Sequence, residues 1–97
     1  MEKRNNTYHL HLKELSLKDG SPAEKMMTFD FENHDDLFKI FDLVSSKKLF
    51  EDENTAKEFA LGLKLFTEVM LKNKQHPLFA ELRLAISEFM KKLKNTY

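Results

Sequence analysis

The sequence predicts an α+β fold: a two-stranded antiparallel β-hairpin followed by three helices (ββααα), in a single domain spanning residues 1–97. Three observations predict it. Apolar and polar side chains alternate in two segments near the start of the chain, which is the period of a half-buried strand. From Leu37 onward apolar residues recur every three or four positions, the period of a helix with one apolar face. The change of period falls inside Phe29-Asp30-Phe31-Glu32-Asn33-His34-Asp35-Asp36-Leu37-Phe38, so a strand hands over to a helix within a few residues.

The first strand is expected over residues 7–15. Tyr8, Leu10 and Leu12 point to one side; His9, His11 and Lys13 point to the other. Lys18-Asp19-Gly20-Ser21-Pro22 reads as a loop, with a permissive Gly and a rigid Pro. The second strand is expected over 26–32, with Met27, Phe29 and Phe31 apolar and Thr28, Asp30 and Glu32 polar. The hairpin's apolar face is expected to carry the helices, because an isolated hairpin is marginal in water.

The first helix is expected over 34–48. Asn33 reads as its N-cap and Asp35 and Asp36 as first-turn acids that the helix dipole favours. Leu37, Ile40, Phe41 and Val44 make its stripe, and Lys47 and Lys48 close it. The second helix is expected over 53–74, with a main stripe of Ala56, Phe59, Ala60, Leu63, Phe66 and Met70. Leu61, Leu65 and Val69 form a second stripe on its other side, which is a helix either sandwiched or touching a partner. Gly62, mid-helix, costs ~1 kcal/mol against Ala, and close approach of another backbone is one reason to have it. Pro77 suits the first position of a third helix, expected over 77–94, with Leu78, Leu82, Ala85, Ile86, Phe89 and Leu93 as its stripe. Phe29, Phe31, Phe41, Phe59, Leu63, Phe66, Leu82 and Phe89 are expected to be buried together.

Composition excludes several functions. There is no cysteine, hence no disulfide and no thiolate chemistry, as suits a reducing, cytoplasmic setting. Met1-Glu2-Lys3-Arg4-Asn5-Asn6 has no apolar run, so no secretory signal is expected. No segment is apolar for ~18 residues, so no membrane span is expected. Sixteen basic residues balance sixteen acidic ones, which argues against a nucleic-acid binder. The lysines gather at helix C-termini, where they complement the dipole. No Gly-rich phosphate loop and no cofactor motif is present, and Ser45-Ser46 has no nucleophile context.

Four further strings lie beyond the strand-to-helix junction: Gly62-Leu63-Lys64-Leu65-Phe66, Val69-Met70-Leu71-Lys72-Asn73, His76-Pro77-Leu78-Phe79 and Phe89-Met90-Lys91-Lys92. Together with Phe29 to Asp36, they make a chain that resembles the small bacterial domain-of-unknown-function family 3861. The resemblance implies a bacterial, stand-alone, single-domain protein. It brings no assigned activity, so no catalytic residue carries over.

His9 and His11 are the sharpest chemical candidates. A His-x-His pair on one strand face can hold Zn²⁺, with a third ligand from Asp30, Glu32 or His34. The plainer reading is two solvent-facing histidines, since a fixed metal site takes three or four ligands. Capping accounts for Asn33, Asp35 and Asp36 but not for His34, and His76 before Pro77 reads as a helix-junction residue. The apolar residues off the main stripes are Phe38, Leu43, Leu61, Leu65, Val69 and Leu84; uncovered, they make a partner surface. The function expected is therefore a small non-catalytic protein-interaction module, contacting a protein partner or forming a homodimer through the hairpin edge or the second stripe. The alternative is a metal-binding protein using His9 and His11.

Overall fold

The computed structural model describes residues 5–96. The chain divides into two compact units, the first running through Asp35 and the second beginning at Asp36.

The first unit is a hairpin of β1 (Asn6–Lys13) and β2 (Met26–Asn33), paired antiparallel. Its register sets Tyr8 against Phe31, Leu10 against Phe29 and Leu12 against Met27 on one face. His9 against Asp30 and His11 against Thr28 occupy the other. The rings of Tyr8 and Phe31 stack with centroids 5.4 Å apart, a cross-strand aromatic pair that helps pin the register.

Pairing continues past the strands. The Glu14 N–H donates to the Lys25 carbonyl at 2.9 Å, and the Lys25 N–H donates to the Glu14 carboxylate at 2.9 Å. A turn is closed by the Gly20 N–H on the Leu17 carbonyl at 3.0 Å. Gly20 has φ +78°, a conformation that side chains rarely adopt. Beyond it the Ser21 hydroxyl and N–H both donate to the Asp19 carboxylate, at 2.6 and 3.0 Å. The hydroxyl first, then the N–H, holds the Asp19 carboxyl below its ordinary value. The folded pKa is depressed. The small contribution to stability is thus present above the unfolded value near ~3.9 and is lost as pH falls through the folded one. We expect Ser21→Ala to move the Asp19 titration, followed by carboxyl NMR, upward. An unmoved titration would show that the hydroxyl is not its cause.

The second unit holds α1 (Leu37–Ser46), α2 (Glu53–Lys72) and α3 (Leu82–Thr96). Its core is Val44 with Ala56 and Ala60, one helical turn apart on α2. Ile40, Phe41, Leu49, Phe50 and Phe59 close around them. Small side chains at Ala56 and Ala60 let α1 and α2 approach, and the rings fill the rim: Phe50 and Phe59 lie 5.1 Å apart. Asp52 caps α2, its carboxylate accepting from the Thr55 N–H and hydroxyl, each at 3.1 Å. Lys47 is the C-cap of α1, and Lys48 follows with φ +49°, a left-handed exit.

Several expectations are corrected. Asn33 does not cap α1. It is still paired with Asn6 as the last residue of β2, and its side chain accepts from the Asp35 N–H at 3.0 Å, turning the chain. Asp36 is the cap, its carboxylate accepting from Phe38 and Lys39 N–H at 3.1 and 3.3 Å. Consequently α1 begins at Leu37 rather than 34, with no acid in its first turn. The third helix does not start at Pro77. His76 Nδ1 accepts from the Leu78 N–H at 3.1 Å and caps a 3-10 turn, Pro77–Phe79, before α3 begins at Leu82. The tight turn buries Phe79 against Phe66 and His76, with ring centroids 6.1 and 5.8 Å away.

The expected set of eight buried residues is also corrected. Phe29, Phe66, Leu82 and Phe89 are exposed, and Phe31, Phe41, Phe59 and Leu63 are only half-buried. Space between the helices goes to small residues, so the large rings lie at the margins. Among the described residues no helix is long and apolar enough to cross a membrane.

Candidate interaction surface

The polar face of the hairpin brings His9 to Asp30 across the strands, Nδ1 to Oδ1 at 2.6 Å, with both side chains mostly exposed. His11 stands opposite Thr28 and is exposed. His34 lies beyond β2, its Nε2 3.6 Å from the Asp35 carboxylate. Among the described residues no group of three or more His, Cys, Asp or Glu is placed to hold a metal ion. His9 therefore has a carboxylate as its neighbour, and His11 has a threonine. An exposed pair of this kind contributes ~0.2–1 kcal/mol. We expect replacement of both histidines by Asn to lower stability by less than about 1 kcal/mol and to leave metal content unchanged. Stoichiometric zinc in untagged protein, lost in the double variant, would contradict this.

The strand-to-helix junction is held on one carbonyl. The Asn6 side chain and the Tyr8 hydroxyl both donate to the Asp35 carbonyl, at 3.1 and 3.2 Å, while Asn33 accepts from the N–H of the same residue. These are structural bonds on backbone groups, and capping and turn chemistry account for them without a reaction. Asn suits both a cap and a turn, so the residue type alone does not separate the two at Asn33.

Apolar side chains make a different surface. The hairpin's apolar face is half-buried at Tyr8, Leu10 and Phe31 and open toward its far end, where Leu12 and Met27 are each more than half exposed. Leu15, just beyond, is 85% exposed. In the second unit the residues singled out for a partner surface separate. Phe38 is 67% exposed and meets Phe41 edge-on at 5.7 Å. Leu61 and Leu65 are half-buried, and Val69 is 51% exposed. Gly62 is exposed, and a Cβ built there would meet nothing within 4 Å. The close backbone approach expected at Gly62 is therefore not made by the described chain.

Two features carry no signal in the sequence pattern. Glu68 is buried on α2, which periodicity does not signal for a carboxylate. A cleft of about 240 Å³ is lined by Met70, Leu71 and Lys74 from α2 and its end and by Arg83 and Ile86 of α3. The Arg83 guanidinium donates to the Lys74 carbonyl, so this cation ties the start of α3 to the loop after α2.

The chain matches no curated protein. Its fold is similar to a crystal structure of a protein of unknown function (eca1910) from Pectobacterium atrosepticum. The two share 34% identity over 94% of this chain and 98% of that one, with a TM-score of 0.82. Residues 6–95 match the model of a family described as a domain of unknown function with a solved structure, DUF3861. With nearly its whole length accounted for, hairpin and helices alike, the chain belongs to the DUF3861 family.

Proposed function

We propose that this protein is a small interaction module with no catalysis of its own, working by presenting apolar side chains to another protein surface. The observation that carries the reading is the balance of apolar burial. Among the described residues seven hydrophobic ones are buried, three of them alanine or valine, whereas fourteen large ones are exposed. Scattered exposed leucines are ordinary. Leu12 and Met27 are not scattered: they face each other across the register, and contiguous apolar surface marks contact sites. Methionine suits such a surface because its flexible thioether adapts to the shape opposite it. By contrast, His9 is matched to Asp30, and Asn6, Tyr8 and Asn33 to backbone groups of Asp35.

A photo-crosslinking residue placed at Met27, in cells, tests the reading. We expect a discrete protein adduct from position 27 and none from the exposed polar position Lys39. Equal labelling at both positions, or none at 27, would overturn it.

A further inference from the structure

We infer that α2 pairs antiparallel with α2 of a second copy, along the seam Glu58–Leu61–Leu65–Val69–Lys72. The seam is a surface separate from the hairpin end described above, and the inference assigns it one partner and one register.

Successive seam residues are separated by three, four, four and three positions, so the pattern is the same read from either end. At 3.6 residues per turn these five positions fall on one face of the helix, along ~21 Å of its length. A two-fold axis through Leu65 then sets Leu65 against its own copy, Leu61 against Val69 of the second chain, and Glu58 against Lys72 of the second chain. Symmetry repeats the last two contacts at the other end. Isologous pairing requires this kind of self-complementarity, a surface matching its own rotated image. An apolar centre flanked by opposite charges is also the pattern of antiparallel helix pairs, with the ion pairs fixing orientation.

Three properties of the single chain agree. The seam lies away from the face of α2 that carries Ala56 and Ala60, so the α1–α2 core does not consume it. Neither Glu58 nor Lys72 has a charged partner among the described residues, and both are exposed. Gly62 adjoins the seam, next to Leu61. Its bare backbone costs ~1 kcal/mol in a helix interior, and nothing in the described chain comes near enough to need it. A second helix crossing beside it would.

Charge reversal tests the register at two exposed positions. Sedimentation of the full chain is expected to show a dimer. In Glu58→Lys both ends of the seam carry lysine on each copy; in Lys72→Glu both carry glutamate. Each variant alone is expected to dimerise at least about tenfold more weakly, since two symmetry-related pairs become repulsive. Mixing the two variants restores every Glu–Lys pair, so a heterodimer of near wild-type affinity is expected. A wild-type chain that stays monomeric at about 100 μM overturns the inference. So do single variants that dimerise like wild type, or a mixture no tighter than its components. Each of these outcomes leaves the Met27 adduct to decide the interaction reading separately.

Discussion

Ala60→Leu is expected to lower the stability of the protein by about 1–3 kcal/mol, because it forces added carbons into a closed contact. Ala60 is fully buried and packs in the cluster with Val44 and Ala56, themselves 1% and 2% exposed. The surrounding side chains, Ile40, Phe41, Leu49, Phe50 and Phe59, already occupy the rim, so the new branches can be accommodated only by moving α1 from α2. A domain of this length has ~5–15 kcal/mol in total. Each kilocalorie lost corresponds to ~4–8 °C in Tm at this size. The expected drop is therefore ~4–24 °C, read by circular dichroism. Lys57→Ala, on an exposed position of the same helix, is the control, expected within about 0.5 kcal/mol of wild type. An Ala60→Leu chain melting with the control would mean that the α1–α2 contact is not the core of the second unit.

That contact also shows what the sequence could convey. The alternation at Tyr8-His9-Leu10-His11-Leu12 and at Met27 to Phe31 is a pure period of two. Both strands and the facing of their side chains follow from it. The stripe Leu37, Ile40, Phe41, Val44 likewise placed α1, and Ala56 and Ala60 placed the buried face of α2. Periodicity gives direction but not distance. It could say that Phe59, Phe66 and Phe89 point inward. It could not say that alanine would set the separation of α1 and α2 and leave the rings at the margin. The end of α2 and start of α3 were less legible for a similar reason. Pro77 signals a new helix, but the burial of Phe79 under Phe66 converts its first turn to 3-10 and delays α3 to Leu82. On the candidate surface, the second stripe on α2 was legible as a pattern. The open end of the hairpin was not, because alternation looks the same whether or not a face is covered.

Asn33→Ala is expected to cost more than Asp36→Ala, by about 1 kcal/mol or more, although both remove an acceptor for backbone N–H groups at the same junction. The difference lies in what is left behind. Asp36 is exposed, so water replaces its carboxylate at the Phe38 and Lys39 N–H groups, and loss of an N-cap costs about 1 kcal/mol. Asn33 is 1% exposed, and its amide accepts from the Asp35 N–H. Without it a buried position loses its polar partner, at ~1–3 kcal/mol, and leaves a void as well. The Asp35 peptide is also the point on which Asn6 and Tyr8 converge, so loosening it frees the end of the β1–β2 ladder. Urea unfolding of the two single variants gives the comparison directly. The midpoint should fall further for Asn33→Ala at an unchanged slope. Equal midpoints, or a larger fall for Asp36→Ala, would show that the helix cap alone holds the junction and that the Asn33 turn is incidental to it.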